Sequence, residues 1–272
     1  MSVKKDSTGR RSISVEVEVP GTPEQVWRAI ATGPGISSWF YPTEIDGDKM
    51  TLHWGPGMDS TSTVSTWEPL QRFVAESEGL GPNAPPMATE WTVEARGGGT
   101  CVVRVVHSLF ASTDDWDAQL EGMEEGWPAF FEVLRIYLAH HFDEPSASVL
   151  LMSAATGSPS EAWAALAGPL GLMDATPGGR TGPRAPGVPP FAGVVERATR
   201  MEQGQGLVLR LDEPAPGVAL LGAQVCGGLM ATVSLYLYGA GAAAAAKRDE
   251  PAWRAWMNQR FPQPTPPAGH QG

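Results

Sequence analysis

The sequence predicts an α+β protein in which a curved antiparallel sheet is wrapped on a long C-terminal helix, an arrangement made twice in tandem. Three observations carry this. Trp127, Phe130, Phe131, Leu134, Leu138 and His141 recur at helical spacing, so a helix of about four turns over Trp127–Phe142 has one almost wholly apolar face. The residues ahead of it break into short alternating runs separated by turn residues, the pattern of an antiparallel sheet. Trp27 and Trp163 lie 136 residues apart, as do Ile13 and Val149, the signature of a duplication.

In the first half, residues 1–11 are polar and read as a flexible N-terminus. Ile13, Val15, Val17 and Val19 alternate with Ser14, Glu16 and Glu18, a half-buried strand. Thr22-Pro23-Glu24-Gln25 then supplies an N-cap, a proline at the first helical position and a capping box. That helix turns Val26, Trp27 and Ile30 inward and is expected to stop at Gly33-Pro34-Gly35. A second short helix or turn holds Ile36, Trp39 and Phe40. Strands are expected near 44–46, 49–54, 62–67, 71–78, 88–95 and 100–109, with turns at Asp46-Gly47-Asp48 and Gly97-Gly98-Gly99. Thr113 to Glu125 reads as a short acidic helix broken at Gly126, after which Pro128 sits just inside the start of the long one.

The second half repeats this order. Ser148 to Met152 and then Ser158-Pro159-Ser160-Glu161-Ala162-Trp163 restate the opening strand and capped helix, and Gly168-Pro169-Leu170-Gly171 stands where Gly33-Pro34-Gly35 stood. Strand-like runs follow at 191–200, 206–211, 217–225 and 229–238, and a shorter helix carries Trp253, Trp256, Met257 and Phe261. A Gly/Pro-rich loop, Thr176 to Pro190, replaces the Trp39-Phe40 segment, so any pocket in this copy is expected to be reduced or filled. The expected domains are 12–143 and a degenerate repeat over 146–262, with a disordered tail at 263–272.

Charge agrees with a boundary near residue 143. The net charge is −11; residues 1–143 carry 10 Lys and Arg against 21 Asp and Glu, while the remainder is balanced at 9 and 9. An acidic first half repels phosphate backbones, so nucleic acid is not an expected partner. Two cysteines, Cys101 and Cys226, cannot build a disulfide framework and read as buried free thiols in a reducing cytoplasm. The N-terminus lacks the apolar stretch of a signal peptide, and the longest apolar run, Gly239 to Ala246, is too short for a membrane span.

Val15-Glu16-Val17 through Pro23-Glu24-Gln25-Val26-Trp27, the Trp39-Phe40 pair, Trp91-Thr92-Val93 and Gly126-Trp127-Pro128 resemble the SRPBCC superfamily, the START-like or birch-pollen-allergen fold. Within it they are similar to bacterial homologues of the heat-shock-protein-90 ATPase activator's C-terminal domain, over roughly residues 12–143. The resemblance implies a helix-grip domain with a cavity between the long helix and the sheet, and the internal repeat makes the second half a degenerate copy of it. Its landmarks are core and capping positions, which specify the fold rather than an activity.

No nucleophile elbow, P-loop or dinucleotide fingerprint occurs, and no cofactor is expected. The five histidines (His53, His107, His140, His141 and His270) lack metal-ligand spacing. Trp39, Phe40, Trp54, Trp67, Trp91, His107, Trp127 and Phe131 are the expected ligand-binding residues, with Phe110 a further candidate aromatic. Aromatic stripes are more often plain core, and the implied cavity is what favours a site. His107, Arg104 and Glu90 lie on candidate strands where an inward-facing acid or base would have a shifted pKa. Asp114, Asp115, Asp117, Glu121, Glu124 and Glu125 surround Trp116, a solvated helix face before a docking patch. The leading expectation is a binding protein for a small apolar or amphipathic molecule. A polyketide cyclase or dehydratase-like enzyme and a chaperone-associated partner protein are the alternatives, and a homodimer is compatible with each.

Overall fold

Alternating valines opposite alternating valines make the centre of the first sheet. In the computed structural model, which describes residues 3–55, 57–79, 84–111, 113–182, 187–201, 203–225 and 227–262, the chain forms two units, Met1–Ser146 and Ala147–Gly272. The first contains β1 (Lys4–Lys5), β2 (Arg11–Pro20), α1 (Pro23–Ala31), α2 (Gly33–Ser37), β3 (Thr43–Asp46), β4 (Lys49–Gly55), β5 (Met58–Glu68), β6 (Arg72–Ser77), β7 (Met87–Arg96), β8 (Thr100–Leu109) and α3 (Asp117–His140). Its sheet is ordered β1-β2-β8-β7-β6-β5-β4-β3, every pairing antiparallel. Val15 faces Val105, Val17 faces Val103 and Val19 faces Cys101, so the opening strand closes beside the last one.

Local chemistry explains the short helices. Thr22 and Gln25 form the expected capping box on α1, with Thr22 N–H donating to Gln25 Oε1 at 2.9 Å. Gly33-Pro34-Gly35 does not simply end that helix; it is the first turn of α2. Thr32 breaks the helical path with an extended backbone. Its hydroxyl donates to Arg28 O at 2.7 Å and accepts from Gly35 N–H at 3.1 Å, serving both helices. A Cβ at Gly35 would stand 2.0 Å from Arg28 O, so only glycine fits this turn.

Two further expectations are corrected. The start of the chain is not merely frayed: β1 pairs with β2, and Arg11 makes an ion pair with Asp117 at the start of α3. The acidic segment and the long helix are one element, with Pro128 in its interior rather than at its first position. Tertiary packing overrides the breakers. Leu120 is fully buried among Ile13, Met87, Leu109 and Ala111, which holds the first turns of α3 in line with the later ones. Leu120, Trp127, Phe131, Leu134 and Leu138 then form one buried stripe.

The second unit contains β9 (Ser146–Ala154), α4 (Pro159–Ala167), β10 (Arg180–Thr181), β11 (Ala192–Met201), β12 (Gly204–Glu213), β13 (Gly217–Val225), β14 (Leu229–Tyr238) and α5 (Ala242–Arg260). Its sheet is ordered β10-β11-β12-β13-β14-β9, again with the opening strand beside the last. Ser158 and Glu161 reproduce the capping box. Trp163, Phe191, Trp253, Trp256 and Met257 pack with the leucines of β12 and β14 to fill its core. The protein is thus α+β, two tandem helix-grip domains, the second with a smaller sheet and a shorter final helix. Among the described residues no helix is long and apolar enough to cross a membrane. Cys101 is a buried free thiol donating to Gly21 O at 3.4 Å. Cys226, His270 and the 263–272 tail lie outside the described residues, as do 80–83 and 183–186 of the Gly/Pro-rich loops.

Candidate functional site

Strand alternation decides what faces α3. On β7 Thr89, Trp91 and Val93 share one face, and on β8 Val103, Val105 and His107 share the same one. Onto it α3 lowers Trp127 and Phe131, while the link from α2 to β3 supplies Trp39 and Phe40. These rings pack on one another. Phe40 stacks on Trp127 at 5.3 Å, Trp91 meets Trp127 edge-on at 5.2 Å, and Phe131 lies 5.3 Å from Trp127. Trp39 is edge-on to Trp91 at 6.0 Å and fixed by its indole N–H donating to Ala29 O at 2.9 Å. All five rings are buried.

Toward solvent the cluster continues through half-buried rings. Tyr41 lies 4.5 Å from Trp54, and Phe130 lies 4.7 Å from Phe40 and 6.0 Å from Tyr41. Trp54 is oriented by its N–H donating to Ser60 Oγ at 3.0 Å. Tyr41 and Phe130 extend the set expected from the sequence. Their signals were adjacency to Trp39-Phe40 and a place one helical turn after Trp127.

His107 is a buried ionisable group within the cluster. The Trp127 indole N–H, which can only donate, is 2.8 Å from His107 Nε2. Nε2 is therefore the acceptor, and Nδ1 carries the proton that it donates to Thr89 Oγ1 at 3.0 Å. Burial away from water disfavours the imidazolium and lowers its pKa from 6.5 to about 4. The ring is neutral at pH 7, with both nitrogens engaged.

Several candidates lie elsewhere. Glu90 and Arg104 occupy the opposite strand face: Glu90 accepts from Arg72 at 2.7 and 3.0 Å, and Arg104 donates to Glu16 at 2.9 and 3.0 Å. Neither turns inward, because each is one residue out of phase with Trp91 or His107. Trp67 is 45 % exposed and packs on Trp27 and Phe73, at the outer end of the row that runs through Phe73 to Trp91. Phe110, beyond the end of β8, is 54 % exposed with Arg10 over its ring. In the acidic stretch Asp117 is bound by Arg11, whose hydrogen bonds hold its carboxyl below the usual range. Among the described residues no three His, Cys, Asp or Glu side chains gather as a metal site.

No curated protein matches the chain in sequence. Among solved structures it is similar to the di-domain ARO/CYC BexL from the BE-7585A biosynthetic pathway, at 15% identity over 94% of this chain and 100% of that one, TM-score 0.40. It is similar to DynU16, from the dynemicin biosynthetic locus, at 18% identity over 92% and 97%, TM-score 0.40. The Aha1 dimer from Colwellia psychrerythraea aligns at 18% identity over 47% of this chain and 95% of that one, TM-score 0.39. Residues 20–139, most of the first domain, match the family model described as activator of Hsp90 ATPase homolog 1-like protein, which is of SRPBCC type.

Proposed function

We propose that the first domain binds a small apolar, ring-bearing molecule between α3 and the concave face of its sheet. The observation that supports this most directly is the continuity of aromatic surface from half-buried Tyr41, Trp54 and Phe130 to buried Trp91, Trp127 and His107. Rings offset or edge-on at 4.5–6.3 Å present faces and edges against which another aromatic ring packs favourably. The ligand enters past Tyr41 and Phe130 and sits against Trp91, Trp127 and Phe131.

The same geometry argues for binding without acid–base catalysis. A general base needs a free lone pair within reach of substrate. His107 presents none, since Thr89 and Trp127 occupy both nitrogens, and Glu90 is on the far face. His107 instead fixes the Trp127 ring. Calorimetric titration of the full chain with 2-naphthol tests the reading. Saturable heat that is lost in Phe130→Ala supports it; no heat in the unmodified protein overturns it.

The family match favours one second reading, docking to a chaperone ATPase. A pull-down with the purified chaperone at low and moderate salt, read beside its ATPase rate, distinguishes the two.

A further inference from the structure

Trp67 lies on the sheet face of Phe73 and Trp91, at its half-exposed outer end. Its ring is backed edge-on by Trp27 at 5.2 Å and flanked by Phe73 at 5.7 Å, so its position is set from behind. The remaining ring surface lines a groove of about 580 Å³ between the α1–α2 junction and strands β3 to β5. Ala31, Pro34, Ile45 and Val64 supply the other apolar walls, and Asp48 supplies the one ionisable side chain. Two features keep the groove in shape. The Thr32 hydroxyl is spent on Arg28 O and Gly35 N–H, and a Cβ at Gly33 would stand 2.7 Å from Thr43 O, so the junction seats tightly on β3. Val64 N–H donates to Asp48 O at 2.6 Å, tying the β3–β4 turn to β5.

A half-exposed indole and an exposed aspartate in one groove, with apolar walls and no lysine or arginine in the lining, are complementary to an organic cation. The indole quadrupole attracts an ammonium held over the ring, the walls cover its hydrocarbon body, and the carboxylate pairs with its charge. The field of the surrounding half-chain, 10 basic against 21 acidic residues over 1–143, has the sign that draws cations in. We propose that this groove is a second binding site of the first domain, for a free amine with an aromatic body. Its lining shares no residue with the aromatic cluster under α3, and the two sites are tested separately.

The test is an indole ¹⁵N–¹H spectrum of the full chain, with the Trp67 resonance identified by its loss in Trp67→Phe. Phenethylamine, phenethyl alcohol and 3-phenylpropionate are titrated in parallel, with Nα-acetyl-lysinamide as the arm that represents a protein side chain. The expected result is a saturable Trp67 shift with phenethylamine binding about ten-fold tighter than the alcohol. Asp48→Asn, an exposed substitution, brings the amine down to the level of the alcohol. Equal shifts with the amine, the alcohol and the acid would overturn the proposal. So would shifts confined to Trp39, Trp91 and Trp127, which place the amine under α3, or acetyl-lysinamide binding as tightly as phenethylamine, which makes the site a reader of protein lysines.

Discussion

Burial lowers the His107 pKa from 6.5 to about 4, so the folded protein excludes a proton that the unfolded chain takes up between those values. Where the unfolded state binds more protons, stability rises with pH. The stability held by neutral His107 is fully present above 6.5, falls as pH drops, and is lost by about 4. The span corresponds to on the order of 3 kcal/mol. Thermal melts from pH 3.5 to 7 check this: His107→Gln flattens the slope in that window, and an unchanged slope contradicts it. Trp127→Phe leaves His107 Nε2 without its donor and is expected to lose about 1–3 kcal/mol in urea unfolding. The inward aspect of His107 was legible from its phase with Val103 and Val105. Its hydrogen bonds were not, because Thr89 and Trp127 reach it through strand register and helix docking that local sequence does not encode.

At the scale of elements, capping signals were read correctly and helix-breaking signals were over-read. Thr22 and Ser158 each cap as their sequences predict, and Thr22→Ala should destabilise by about 1 kcal/mol in chemical denaturation. Gly126 and Pro128 were read as a break and a start, yet α3 passes through both. The deciding contacts are distant in sequence: Leu120 against Ile13 and Leu109, and Asp117 against Arg11. The glycine penalty still operates. A Cβ at Gly126 meets nothing within 4 Å, so Gly126→Ala is expected to stabilise by about 0.5–1 kcal/mol. Hydrogen exchange should show amides 118–127 exchanging faster than 131–140, since Pro128 removes one rung of the ladder between them. Uniform protection along α3 would contradict that account. Trp67 keeps the sheet face of Phe73 and Trp91, with which the register aligns it, but β5 lies two strands out from β7, so it packs on Trp27 and Phe73 instead of reaching the rings around Trp127.

Across the whole molecule, the order strand, capped helix, strands, long helix occurs twice, and in both copies the opening strand lies beside the last. The sequence made the duplication visible through its 136-residue spacing, because capping boxes and core tryptophans keep their places when loops change. It left the inner site less legible, since which rings touch depends on the α2–β3 link as well as on periodicity. The first copy keeps the Trp39-Phe40-Tyr41 segment and a ring-lined interior; the second fills its concave side with leucines, Trp253 and Trp256. The proposed ligand site is accordingly in the first. The most direct measurement is a crystal structure of the natively purified full chain, read between α3 and the sheet. The account predicts density for a small ring-bearing molecule beside Tyr41, Trp54 and Phe130, with Trp91 and Trp127 opened around it. Density for such a molecule in the second domain instead, with the first packed ring on ring, would contradict it.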